Sequence, residues 1–198
     1  MDIETVAAYD QQAASYARDW LEQDAPSDMY ALLKQYFTPG LTADIGCGAG
    51  RDTAWLVANG FQAIGVDVSQ GLLDEARAAY PGITFRQGSL PALDGLQRGS
   101  YQNVLCETVI MHLEPASISE AISSLIALLR PGGTLYLSWR VTEQASLRDK
   151  SGRLYSSFER ELVTLPAGGL CDVIFEEDVI SASSGKRTQR LIVRKKTT

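Results

Sequence analysis

The sequence is short of the residues from which metal sites and disulfide frameworks are made. Its 198 residues include one histidine and three cysteines. Cys47, Cys106 and Cys171 are odd in number and far apart, which fits reduced thiols and a cytoplasmic setting rather than a stapled scaffold. A single histidine with no cysteine pair leaves too few ligands for a zinc site, and no metal is expected. Positive charge is also in deficit: 18 Lys and Arg stand against 24 Asp and Glu, for a net charge of −6. Proteins that bind nucleic acid carry a basic face, so no nucleic-acid partner is expected. No apolar run approaches membrane-spanning length, and no membrane partner is expected either. Met1-Asp2-Ile3-Glu4 has neither a basic start nor an apolar core, which predicts no signal peptide. What remains is an ordinary globular composition, 45% hydrophobic and 21% charged, long enough for one sizeable core. No shift in composition divides it, so residues 1–198 read as one domain.

The chain is organised around Leu41 to Glu75. Leu41 to Ile45 reads as a short buried strand. It stops in Gly46-Cys47-Gly48-Ala49-Gly50, where alternate glycines open backbone conformations that other residues avoid and let a ligand approach closely. Arg51 to Ala58 has a helical pattern closed by Asn59-Gly60. A second apolar run, Ala63 to Val66, ends in Asp67, with Ser69 placed to cap the next helix. Strand, glycine turn, helix, strand and acid form the unit that binds a nucleoside at the carboxyl ends of parallel strands.

The spacing bears on which nucleoside. A dinucleotide fingerprint needs a glycine three places after its second, and that place holds Arg51. Asp44, two residues before the first glycine, would repel a pyrophosphate but suits an ammonium group reached through a water or an amide. Asp67 can accept two ribose hydroxyls. A ligand with a ribose, an amino group and no phosphate meets these demands better than NAD, and S-adenosylmethionine (SAM) is such a ligand.

Asp44-Ile45-Gly46-Cys47-Gly48-Ala49-Gly50 resembles motif I of the class I SAM-dependent methyltransferases, and Val66-Asp67-Val68-Ser69 resembles their ribose-binding acid. Gly50-Arg51-Asp52-Thr53 and the small size are similar, more distantly, to the tellurite-resistance and thiopurine types. The resemblance implies an α/β, Rossmann-like fold. Its seven-stranded sheet would be mostly parallel with an antiparallel last strand, helices on both faces, a core over 41–198 and a helical cap over 1–40. It further implies a cofactor, SAM, held by Asp44, Gly46, Gly48, Gly50, Arg51, Asp67, Val68, Ser89, Leu90 and Glu107, with S-adenosylhomocysteine as product. Ser89 stands where the family usually has an acid for the adenine amino group, and a serine bond there lacks charge assistance.

Elsewhere, Val6, Tyr9, Ala13, Tyr16 and Trp20 fall at helical spacing within residues 5–24. This is either an aromatic stripe laid on the core or a lid, since Tyr9-Asp10 and Ala14-Ser15-Tyr16 resemble the family's entrance segment, which would bring Tyr16 to the methionine carboxylate. A helix is expected over 28–37, another over 71–80, a third strand over 83–87 and a fourth over 101–107. Glu107 to Pro115 follows the fourth strand and carries His112, whose ordinary pKa makes it the readiest proton acceptor. Ser117 to Arg130 reads as an amphipathic helix, Leu129 to Gly133 as a turn, and Thr134 to Trp139 as the fifth strand. Residues 140–156 are polar and aperiodic. They read as a solvated loop, or as an acceptor lid whose Arg140, Arg148, Lys150 and Arg153 suit an anion. A helix over 158–165 and strands over 173–180 and 189–194, joined by a turn at 181–185, would complete the sheet.

The cofactor arrives activated, so the protein has chiefly to align a small-molecule acceptor in line with the methyl group and exclude water. A soft nucleophile needs little more; a hydroxyl wants a base, for which His112 comes first and Glu107 second. A catalytically weak SAM-binding module, or a partner subunit of another methyltransferase, is the alternative. A monomer or a homodimer is expected.

Overall fold

The computed structural model describes residues 1–142, 144–181 and 185–197. The sheet is built on β4 (Tyr101–Cys106), all six of whose residues are buried. Strands covered on both faces read as continuous apolar runs. β4 pairs in parallel with β1 (Leu41–Ile45) on one side and with β5 (Leu129–Arg140) on the other. β2 (Gln62–Asp67) and β3 (Thr84–Gln87) extend the β1 edge in parallel, while β9 (Arg187–Lys195) lies antiparallel to β5 and to the edge strand β8 (Cys171–Ile180). The order is β3-β2-β1-β4-β5-β9-β8, the expected seven-stranded sheet with one reversed strand, the last in the chain. Chain direction reverses its walk across the sheet between β1 and β4, which leaves a crevice at their carboxyl ends.

Side chains alternate across β4 as a period of two requires. Val104 and Cys106 join the core under α6 (Pro115–Leu128) and α7 (Glu161–Gly168), while Leu105 joins that of α3 (Ser27–Tyr36) and α4 (Arg51–Ala58). α5 (Gln70–Ala79) packs against β3 through Leu73, Ala76 and Phe85. Among the described residues no helix is long and apolar enough to cross a membrane.

Several boundaries differ from expectation. The helix expected over 5–24 is two, α1 (Ile3–Gln11) and α2 (Ala13–Glu22), broken at Gln12 (φ −116°, ψ 18°). The break lets Asp10 accept hydrogen bonds from Ser69 Oγ (2.6 Å) and the Gly71 amide (3.0 Å). Residues 129–133 begin β5 instead of forming a separate turn, and α7 starts at Glu161 and runs through Pro166. Within 140–156 a small antiparallel ladder forms between β6 (Leu147–Arg148) and β7 (Leu154–Tyr155). Of the turn expected at 181–185, residues 182–184 lie outside the described residues.

Gly133 is where β5 draws close to β4. A Cβ there would stand 2.9, 3.0 and 3.1 Å from the carbonyl oxygens of Arg130, Tyr101 and Gln102, all backbone atoms that cannot swing aside. Gly133→Ala is therefore expected to cost about 2 kcal/mol, seen by calorimetry as a Tm lower by roughly 4–8 °C. An unchanged Tm would show that β5 accommodates the methyl without moving.

Candidate active site

β1 and β2 run in register to Ile45 and Val66, and the chain then has to leave the sheet. The amides of Gly46 and Cys47 both donate to the Val66 carbonyl, at 2.7 and 3.1 Å, which folds the glycine turn back over the end of β2. The Asp67 carboxylate completes the tie: Oδ2 accepts from the Gly48 amide at 2.9 Å and Oδ1 from the Ser69 amide at 2.8 Å. Burial raises the Asp67 pKa while these amide donors oppose the rise. Each carboxylate oxygen retains a second lone pair. Gly48, at φ +53°, has no room for a side chain, since a Cβ would lie 2.7 Å from the Trp20 ring.

Over this turn lies a cavity of about 650 Å³, its mouth included, within the size range of small-ligand sites. Ile45, Leu72, Leu90 and Val109 give it apolar walls, and Asp67, Glu107, Thr108, His112 and Tyr9 supply polar groups. A second recess shares Trp20, Gly46, Gly48, Glu107 and Thr108 with the first and adds Arg51 and Asp52. There the Arg51 guanidinium grips Asp52 with Nε at 2.9 Å and Nη2 at 3.0 Å. Glu107 accepts from Ser138 Oγ, and burial raises its pKa.

α1 forms a roof held at both ends. Asp2 caps it, accepting from the Thr5 amide (2.8 Å), and also takes a two-pronged contact from Arg148 at 2.8 and 2.9 Å. Thr5 Oγ1 accepts from the Leu154 amide at 2.8 Å, and Asp10 holds the other end at Ser69 and Gly71. His112, 4% exposed, has Nδ1 2.5 Å from the Leu154 carbonyl and Nε2 3.1 Å from Tyr9 Oη. A carbonyl only accepts, so Nδ1 carries the proton and Nε2 accepts from Tyr9. Burial is the main force that lowers the His112 pKa, to about 4, with Arg153 and Arg140 adding to it, so the ring is neutral at pH 7.

A sequence model of the methyltransferase domain family matches residues 43–133. The chain is 31% identical over 139 residues, 63% of its length, to the ubiquinone biosynthesis O-methyltransferase of Methylococcus capsulatus, and spans 57% of that protein. Its fold superposes on the Burkholderia thailandensis 1,6-didemethyltoxoflavin-N1-methyltransferase with a TM-score of 0.76 at 22% identity, covering 96% of this chain and 88% of that one. The Haemonchus contortus phosphoethanolamine N-methyltransferase 2 gives the same TM-score at 15% identity, covering all of this chain and 61% of its own. The chain is thus similar to SAM-dependent methyltransferases, in sequence over residues 43–133 and in fold over nearly its whole length. It spans a little over half the length of the curated relative it matches.

Of the site residues expected for a class I methyltransferase, Gly46, Gly48, Asp67, Val68, Leu90, Glu107 and His112 line the main cavity, and Arg51 lines the second recess. Ser89 lies on an outer recess with Val68 and Asp10, its hydroxyl donating to the Leu90 carbonyl at 3.1 Å. Three others stand outside both recesses. Asp44 is 2% exposed and accepts from Thr53 Oγ1 at 2.6 Å. Burial, with the charge of Asp52 nearby, pushes its pKa up to about 8, so at pH 7 it offers an ammonium group little charge. Gly50 turns the chain into α4, its Cβ direction filled by Phe85. Tyr16 stacks on Trp20 with its hydroxyl buried and unpartnered among the described residues, so the breaking of the helix at Gln12 leaves Tyr9 and Trp20, not Tyr16, on the cavity.

The lining residues not assigned to the site from sequence include Tyr9, Trp20 and Thr108. The aromatic stripe contains the first two, but its periodicity alone does not say which members face a ligand. Thr108 carries no signal beyond its place after β4. Of the basic residues thought to suit an anion, Arg148 pairs with Asp2 and Arg153 with Asp149 (2.7 Å), while Arg140 lies over the Tyr155 ring.

Because His112 is neutral in the folded protein and free to protonate when unfolded, it stabilises fully above pH 6.5 and progressively less as pH falls toward 4. Urea unfolding should show the difference in stability between wild type and His112→Gln shrinking by about 3 kcal/mol from pH 7 to pH 4. A difference that is flat with pH would mean that the ring is solvated.

Proposed function

We propose that the chain transfers the methyl group of S-adenosylmethionine to a small-molecule acceptor. One observation carries this reading: a buried acid at the end of β2, already bonded to the glycine turn, turns its remaining lone pairs into a cavity of small-ligand size. The residues fit the cofactor. Asp67 suits the ribose hydroxyls, and the glycine turn admits a chain close to its backbone. Glu107 and Asp67 turn carboxyl oxygens toward the space a sulfonium would occupy. Leu90 and Leu72 offer apolar walls to a base, and Arg51, at the second recess, is a cation available to a carboxylate. When bound, the cofactor supplies an electrophilic methyl carbon with a thioether leaving group.

The protein's own contribution is placement and dryness. The roof of α1 and the aromatic side chains of Tyr9 and Trp20 keep water from the methyl group, and the apolar walls align an acceptor without needing to activate the donor. His112 and Glu107 are the groups available to take a proton. The relatives point the same way in name: one acts in ubiquinone biosynthesis as an O-methyltransferase, and another is an N-methyltransferase with bound 1,6-didemethyltoxoflavin and S-adenosylhomocysteine.

Calorimetric titration tests the cofactor. SAM should bind and NAD should not. Asp67→Ala should weaken SAM by roughly 100-fold or more, as expected for two hydrogen bonds from hydroxyls to a charged acceptor. Binding indifferent to Asp67 would overturn the assignment of the ribose site. Tight SAM binding with no transfer of labelled methyl to any acceptor would instead support a binding module without turnover.

A further inference from the structure

We propose that Tyr9, supplied by the roof helix, is a catalytic residue that works with His112 to receive the proton of an uncharged, hydroxyl-bearing acceptor. The inference rests on the methyl-transfer reading above. Both side chains line the cavity, and their polar atoms are 3.1 Å apart. The direction of that bond is set from behind: the Leu154 carbonyl claims the Nδ1 proton, so Nε2 presents its lone pair and Tyr9 donates to it. Arg153 Nη1 donates to the same phenol oxygen from outside at 3.4 Å, with its guanidinium tied to Asp149 and lying over the rings of Tyr9, Tyr16 and Tyr155. An acceptor hydroxyl can donate to Tyr9 Oη while all of these contacts persist.

The step balances. As the acceptor oxygen forms its bond to the methyl carbon, the electron pair of the carbon–sulfur bond leaves with sulfur. The hydroxyl proton passes to Tyr9 Oη while the phenol proton passes to His112 Nε2, and the imidazolium returns it to solvent after release. A ring of low basicity is adequate, because a methylated oxonium is a far stronger acid than imidazolium. The groups facing His112, namely Tyr9, Tyr155, Arg153, Arg140 and Asp149, include two guanidiniums that oppose its protonation.

Charge selects the acceptor class. Among the described residues no Lys or Arg side chain lines the cavity, while Asp67 and Glu107 do. An anionic acceptor would face these carboxyl groups, and the cations at hand are already engaged, the Arg153 guanidinium with Asp149 at 2.7 Å and the Met1 ammonium with the Leu90 carbonyl at 2.9 Å. An amine arrives as an ammonium ion, and a neutral imidazole hemmed in by arginines is too weak a base to strip it. A neutral hydroxyl on an apolar frame suits both the walls and the Tyr9–His112 pair.

His112 is the sole histidine of the sequence, so protein labelled with ¹⁵N-histidine gives one imidazole spectrum. In S-adenosylhomocysteine-loaded protein at pH 7, Nε2 should read as unprotonated and hydrogen-bonded. Catechol should perturb Nε2 more than Nδ1, and should bind at least 10-fold more tightly than benzoate or benzylamine. Tyr9→Phe should move Nε2 toward an unbonded nitrogen and weaken catechol by roughly 3–10-fold. A protonated Nε2, an absence of catechol binding, stronger binding of benzoate or benzylamine, or indifference to Tyr9→Phe overturns the proposal. Failure of S-adenosylhomocysteine to bind defeats the cofactor reading instead, and the Nε2 spectrum of the unloaded protein still decides whether Tyr9 and His112 are paired.

Discussion

One buried carboxylate joins the parts on which the site depends. Asp67 accepts the Gly48 amide from the turn after β1 and the Ser69 amide from the start of α5. Without it, two loops that leave neighbouring strands would present unpaired amides at the mouth of the crevice, each costing about 1–3 kcal/mol. With it, the glycine turn, the end of β2 and the N-terminus of α5 become one rigid rim. Ser69 is the cap of α5, accepting the Leu72 amide at 3.2 Å, and its hydroxyl in turn donates to Asp10. The rim thus extends by one further bond to the roof.

The roof is a strut rather than a loose flap. α1 is bound through Asp10 to the rim of the cavity and through Asp2, Thr5 and Tyr9 to the β6–β7 ladder and His112. The exposed Asp2–Arg148 pair contributes little energy by itself, but it orients Asp2 while that residue caps the helix. Two halves of the crevice that the sheet holds apart are connected through one short helix. Tyr9 sits in the last turn of that helix, where it meets both the cavity and the imidazole.

Some features were legible because they are local. The glycine turn, the acid at Asp67, the cap at Ser69 and the strand alternation each follow from residues within a few positions of one another, and the topology of the sheet was implied by the resemblance those motifs carry. The break at Gln12 was not legible, because the partners that reward it, Ser69 and Gly71, are about sixty residues away in sequence. Asp44 reads in sequence as a charged contact and in space as a buried acid facing Thr53, since only packing reveals desolvation. The arginines of 140–156 read either as part of a solvated loop or as a cluster for anions, and in space their charges are met by Asp2 and Asp149 or laid on aromatic rings.

The sequence by itself determined the strand–turn–helix unit and the chemistry of the crevice rim, because hydrophobic periodicity and glycine spacing act over one or two turns of chain, and the motifs of that unit carried the resemblance that implied the whole sheet. Only the tertiary structure decided which aromatic of the roof faces the cavity, which carboxyl groups are buried away from solvent and which way the histidine points. Those depend on burial and on hydrogen bonds between residues as far apart as Tyr9 and His112, and no local pattern encodes a distance in space.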